Sequence, residues 1–124
     1  MSQKVLLIED DTTMLSLLRT LLGMEGFDVA ALEFDTDLDS ILAFIRAEQP
    51  EAVLMDVNLR QVNGIELLKA IRKDELVHST RVIMTSGMDV GDRCLEQGAD
   101  AFILKPYMPD ELIQQIRRVL PEQN

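Results

Sequence analysis

Five short apolar stretches punctuate this chain, and after each one apolar residues recur at helical spacing. Val5-Leu6-Leu7-Ile8, Ala52-Val53-Leu54-Met55, Val82-Ile83-Met84 after Arg81, and Ala101-Phe102-Ile103-Leu104 are continuous runs, and Phe27 to Leu32 also reads as a strand. Runs this short, with no polar alternation, are the pattern of strands buried on both faces of a parallel sheet. Between them, Thr12 to Met24 carries Met14, Leu15, Leu17, Leu18, Leu21 and Leu22 on one helical stripe, with Asp11 or Thr12 placed to cap its start and Gly26 to close it. The acidic, capping-rich stretch Asp35 to Asp39 leads into a helix from Ile41 to Glu48, which Pro50 stops. Further helices are read from about Gly64 to Lys73 and from Val90 to Gln97, with Gly98 at the end of the second. The last begins at Pro109 with Asp110 and Glu111 in its first turn, and its stripe is Leu112, Ile113, Ile116, Val119 and Leu120.

A strand-helix unit repeated five times along the chain predicts an α/β fold, a five-stranded parallel sheet doubly wound with helices on both faces. In that arrangement every strand-to-helix loop opens on one edge, the edge where open α/β sheets place their ligands. Four of the five strands end there in chemically pointed residues: Glu9 and Asp10, Asp56, Thr85, and Lys105. A single strand-end aspartate such as Asp56 is most simply the start of a loop. The matching groups on the other strands turn it into a candidate site.

Gathered at one edge, Glu9, Asp10 and Asp56 would repel one another and raise one another's pKa unless a cation joined them. Hard carboxylate oxygens with no His or Cys beside them suit Mg²⁺, which takes one or two carboxylates and completes its shell with water and phosphate oxygens. A lysine and a threonine hydroxyl across the site would supply a second positive charge and a donor, most of what phosphoryl transfer asks of a protein. An aspartate among them can itself act as the nucleophile and hold an acyl phosphate.

Composition narrows the partners. At 124 residues and 47% apolar content the chain has room for one hydrophobic core. A formal net charge of −10 argues against direct nucleic-acid contact or an anionic membrane surface as its main business. The twelve Lys and Arg are scattered, with Arg72-Lys73 and Arg117-Arg118 as the adjacent pairs. The single cysteine, Cys94, cannot form an internal disulfide, and no apolar run reaches membrane-spanning length, so a cytoplasmic setting is expected. His78 lies in a polar loop and reads as a surface residue, Cys94 as a small helix residue, and the seven methionines mostly as core filling.

Ile8-Glu9-Asp10-Asp11, Met55-Asp56, Gly64, Met84-Thr85-Ser86 and Lys105-Pro106-Tyr107 together resemble the receiver domain of two-component response regulators, over essentially the whole chain. The resemblance implies a flavodoxin-like fold with strand order 2-1-3-4-5, like the chemotaxis regulators. It implies that Asp56 accepts a phosphoryl group from a histidine kinase or a histidine phosphotransfer protein. It also implies that Asp10 holds Mg²⁺ directly, Glu9 through water, and Asp56 and the Asn58 backbone carbonyl complete the protein ligands. Thr85 would be the switch hydroxyl, Phe102 the switch aromatic and Lys105 the partner of the phosphoryl oxygens. The Lys105-Pro106 bond is usually cis in such domains.

This sequence departs from the family pattern in three places. Arg60 stands where the family usually has proline, so a more mobile loop after Asp56 is expected. The stretch from Thr85 to Lys105 is somewhat shorter than is common, which compresses the fourth helix. The stretch from Gly26 to Asp56 is somewhat longer, around Glu33 to Asp39. Two other readings stand beside the receiver. A haloacid-dehalogenase-type phosphatase also uses an aspartate nucleophile, but needs a second Asp two residues on, where this chain has Asn58. A receiver-like module could bind partners without being phosphorylated. The chain runs to Pro121-Glu122-Gln123-Asn124 directly after the fifth helix, so residues 1–124 are expected to be a receiver with no output domain, acting on a downstream protein or cut from a longer regulator.

Overall fold

The computed structural model describes residues 2–32 and 37–120. Its elements run in strict alternation: β1 (Lys4–Ile8), α1 (Thr12–Met24), β2 (Asp28–Leu32), α2 (Leu38–Glu48), β3 (Ala52–Asp56), α3 (Gly64–Lys73), β4 (Arg81–Ser86), α4 (Gly91–Glu96), β5 (Ala101–Leu104) and α5 (Pro109–Val119). The strands form one sheet in the order β2-β1-β3-β4-β5, and every pairing is parallel.

Because side chains alternate along a strand, each apolar run feeds two cores. Leu6 and Ile8 of β1, Val53 and Met55 of β3, and Val82 and Met84 of β4 point to one face, where α2, α3 and α4 cover them with Ile45, Leu67, Leu68, Ile71 and Cys94. Val5 and Leu7, Ala52 and Leu54, Ile83, and Ala101 and Ile103 point to the other, against Leu15, Leu18 and Leu22 of α1 and Leu112 and Ile116 of α5. The runs Val5 to Ile8, Ala52 to Met55 and Val82 to Met84 are apolar because neither side of them meets water.

Element ends follow their caps. Asp11 accepts from the Thr13 and Met14 amides, so it rather than Thr12 is the cap of α1. Asp37 accepts from the Ser40 amide at 2.8 Å. That bond starts α2 at Leu38, three residues before the expected Ile41. Gln49 closes α2 in the left-handed region at φ 45°, just ahead of Pro50. The fourth helix is shorter still than the stretch Val90 to Gln97: six residues, Gly91–Glu96, with no side-chain cap at its start. The extra length around Glu33 to Asp39 falls in part on residues 33–36, outside the described residues.

Side-chain staples hold the edge opposite the strand-end residues. Arg72 of α3 donates to the carbonyls of His78, Thr80 and Gly98 and pairs with Asp100 at 2.9 Å. Arg46 of α2 grips Asp74 just beyond α3. His78 is exposed and Cys94 fully buried, as their local patterns suggest. The methionines divide differently from expectation: Met55 and Met84 fill the core, but Met24, Met88 and Met108 are largely exposed. Among the described residues, no helix is long and apolar enough to cross a membrane.

Candidate functional site

Asp56 is the last residue of β3, and parallel register sets Thr85 of β4 directly beside it. The Val57 amide donates to the Thr85 carbonyl at 2.9 Å, which carries the pairing past the end of the strand. Helix α3 begins against that same exit. The Gly64 amide donates to the Val57 carbonyl at 2.8 Å, and a Cβ at Gly64 would stand 2.4 Å from the Asp56 carbonyl oxygen and 2.8 Å from the Val57 Cα. Only glycine permits so close an approach of two backbones. Asn63 then caps α3 through the Ile65 and Glu66 amides. Sheet register and this helix start therefore fix where Asp56 points.

Both oxygens of the Asp56 carboxylate are engaged. The Asn58 amide donates to Oδ1 at 2.9 Å, and the Lys105 ammonium donates to Oδ2 at 2.5 Å. Lys105 also lies 3.6 Å from Glu9 Oε1. The Lys105-Pro106 peptide bond is cis, and the Lys105 amide donates to the Ser86 carbonyl at 2.8 Å, which keeps β5 paired with β4 up to the site. Three of the four strand ends thus converge on one group of charges, Glu9, Asp56 and Lys105, with Thr85 in the floor at 4% exposure.

Electrostatics follow from partial burial. Glu9 is raised above the ordinary glutamate range, first by burial, with the charge of Lys105 opposing and that of Asp56 adding to the shift. Repulsion from Asp56, which the sequence led one to expect unless a cation joined the carboxylates, contributes to this shift, but burial is its first cause. For Lys105 burial alone favours the neutral amine, but its hydrogen bond to Asp56 and the charges of Glu9 and Asp56 outweigh that and leave its pKa raised. Tyr107, half-buried behind the site, is raised by burial, with Lys105 opposing and Glu9 and Asp56 adding.

Asp10 takes its partner from the loop after β3. Its Oδ2 accepts from the backbone amide of Arg60 across the site, while the Asp10 amide donates to Glu9 Oε2 at 3.0 Å. Among the described residues no three or more His, Cys, Asp or Glu side chains are gathered closely enough to enclose an ion. Lys105 takes the compensating role at Glu9 and Asp56, and the loop takes Asp10. The loop after β3 is tied by the Arg60 amide to Asp10, by the Asn58 amide to Asp56, and by a bridge between Asn58 and Asn63.

Phe102 of β5 is half-buried, facing α4 rather than the carboxylates. Its ring lies so close to the first residue of α4 that a Cβ at Gly91 would stand 2.9 Å from it. Two participants escape a reading of side chains by type. Tyr107 was legible only as part of a motif, with no role attached. The Arg60 amide showed only as the replacement of the family's usual proline by a residue with a backbone donor, and its partner Asp10 was not legible.

A doubly wound α/β domain with carboxylates and a lysine converging at the carboxyl edge of its sheet is a known class of signalling module. The model of the response regulator receiver domain matches residues 5–117 of this chain. The chain belongs to that family, the receiver domains of two-component response regulators. It is 35% identical over 119 residues to the DNA-binding response regulator MtrA of Mycolicibacterium paratuberculosis, an alignment covering 94% of this chain and 51% of that protein. It is 34% identical to the probable transcriptional regulator ycf27 of Guillardia theta, over 98% of this chain and 47% of that one. The chain thus spans about half the length of these curated relatives. Among solved structures it superposes on the receiver domain of a sensor histidine kinase from Pseudomonas aeruginosa, which has a magnesium ion coordinated in the active site cleft. The TM-score is 0.81 at 25% identity, covering 95% of this chain and 97% of that one.

Proposed function

We propose that this chain is a phosphorylation-dependent signalling switch in which Asp56 accepts a phosphoryl group from a histidine kinase or a histidine phosphotransfer protein. The observation that carries the reading is the placement of Asp56, with the Lys105 ammonium on one carboxylate oxygen and Thr85 alongside in register. In the transfer an Asp56 oxygen attacks phosphorus and the phosphorus–nitrogen bond of the partner's phosphohistidine breaks. The bonding pair returns to the imidazole, and the product is an acyl phosphate on Asp56. Lys105 is already within hydrogen-bond distance of the acceptor and so can follow the added oxygens, while the Thr85 side chain is the neighbouring hydroxyl donor. The protein catalyses only its own gain and loss of the group; it is not an enzyme acting on a separate substrate.

The donor set fits Mg²⁺. Hard oxygen ligands line the site, and one or two carboxylates suffice for an ion that keeps much of its water. Asp10 would hold the ion directly, with Asp56 and the Asn58 carbonyl, and Glu9 through water. When bound, Mg²⁺ would neutralise charge on the phosphoryl oxygens. A receiver neighbour that carries magnesium in its cleft supports this reading. The downstream recipient is a protein target or an output domain elsewhere in the regulator. Intact mass tests the function: with a small acyl-phosphate donor and Mg²⁺ the chain should gain one phosphoryl group, and without Mg²⁺ it should gain little. No gain under either condition would leave a module that binds partners without phosphorylation.

A further inference from the structure

The loop between β3 and α3 crosses the site and meets Asp10 with a backbone donor, the amide of Arg60, on Oδ2. Residue 60 is four positions after Asp56, where receiver sequences usually have proline, and proline has no amide hydrogen to give. We infer that the Arg60 backbone amide is a positioning group for the metal site of this chain: it holds the Asp10 carboxylate in one orientation and ties the loop to it. This rests on the Mg²⁺ reading given under Proposed function.

The physical case has three parts. A carboxylate has two oxygens and about four acceptor sites, so a donor on Oδ2 leaves Oδ1 for a cation instead of competing for the whole group. Hydrogen bonds to a charged acceptor are shorter and roughly twice as strong as neutral ones, so one amide can set the rotamer of a half-exposed side chain. The loop is also anchored on the same site by a second amide, that of Asn58 on Asp56 Oδ1 at 2.9 Å. Two amides of one loop therefore address two acidic side chains carried by β3 and by the turn after β1, and leave Glu9 to Lys105. Groups that orient a metal ligand from behind typically change affinity by about 10–100-fold when removed.

Two substitutions separate the amide from the guanidinium. Arg60→Ala removes the side chain and keeps the donor, whereas Arg60→Pro removes both. By titration calorimetry with Mg²⁺, Arg60→Pro should bind on the order of tenfold more weakly than Arg60→Ala. Equal affinities for the two variants, with a parent that binds Mg²⁺, would overturn this inference alone. A parent that binds no Mg²⁺ would overturn the metal reading and this inference with it. A second measurement needs neither metal nor proline. Hydrogen exchange of the Arg60 amide, followed by NMR in metal-free protein, should be slower in the parent than in Asp10→Ala, and equal rates would show that the bond does not hold the loop.

Discussion

The Lys105 ammonium lies 2.5 Å from the Asp56 carboxylate and links it to Glu9, 3.6 Å away on its other side. One lysine thus serves two carboxylates that are each about one-eighth exposed. Replacing it by Lys105→Met keeps most of the apolar stem and removes the charge. Leaving a buried polar group without its partner costs about 1–3 kcal/mol, and more for a charged one, so thermal unfolding without metal should show a lower Tm. Added Mg²⁺ should narrow the gap between variant and parent, because a cation again sits among the carboxylates. A gap that Mg²⁺ does not change would mean that the lysine contributes packing rather than charge.

Gly64 sets the exit of β3 more rigidly than any side chain does. A Cβ there would stand 2.4 Å from the Asp56 carbonyl oxygen, inside contact distance of backbone that cannot swing away. Gly64→Ala should destabilise the fold by about 1–3 kcal/mol, the usual scale for overpacking, although alanine favours helix. Denaturant unfolding will show it. A stabilised variant would mean that α3 can slide off the strand without cost.

Asp74 is held below the ordinary aspartate range, chiefly by its hydrogen bond from Arg46 and then by the Leu76 amide. A carboxylate with a depressed folded pKa contributes stability that is present above its unfolded value, about pH 4, and is lost as pH falls through the lower folded value. Arg46→Gln should therefore lower the Tm at neutral pH, and the difference from the parent should shrink as pH drops below about 4. A difference that stays constant down through acid pH would assign the effect to the arginine stem.

Helix α4 is expected to be readily displaced when Asp56 is phosphorylated. It has six residues, no side-chain cap, and the Phe102 ring pressed on its first residue, and so short a helix depends on packing for its stability. New oxygens on Asp56 would draw on Thr85 and Lys105, and through Thr85 on the loop from Ser86 to Asp89. Hydrogen exchange of free protein against its beryllofluoride complex should change most in Ser86 to Gly98 and around Phe102. Changes confined to the Glu33 to Asp39 stretch would place the output surface elsewhere.

The sheet was legible because burial on both faces leaves no polar residue inside Val5 to Ile8 or Val53 to Met55, and because alternation of strands and helices admits few windings. Boundaries were less so. Leu38 enters α2 through a cap at Asp37, a local bond that the apolar stripe starting at Ile41 does not register. At the site, residue types named Glu9, Asp56, Thr85 and Lys105, and the structure brings those strand ends together. What residue types could not convey is how charge is shared. Lys105 pairs with both Glu9 and Asp56, burial is the first cause of the Glu9 shift, and Asp10 is met by a backbone amide whose partner depends on the path of the loop. The exposure of Met24, Met88 and Met108 was likewise invisible, since methionine suits a core and a contact surface equally.

Locating the phosphoryl group on the chain tests the assignment of Asp56 most directly. The chain is treated with a small acyl-phosphate donor and Mg²⁺, trapped with borohydride, which reduces an acyl phosphate to the alcohol, then digested and read by mass spectrometry. The expected result is reduction at Asp56 in the parent, with Glu9, Asp10 and Asp11 untouched, and no reduced aspartate in Asp56→Asn. Reduction at another carboxylate in the parent, or equal labelling of Asp56→Asn, would contradict the assignment of Asp56 as the acceptor.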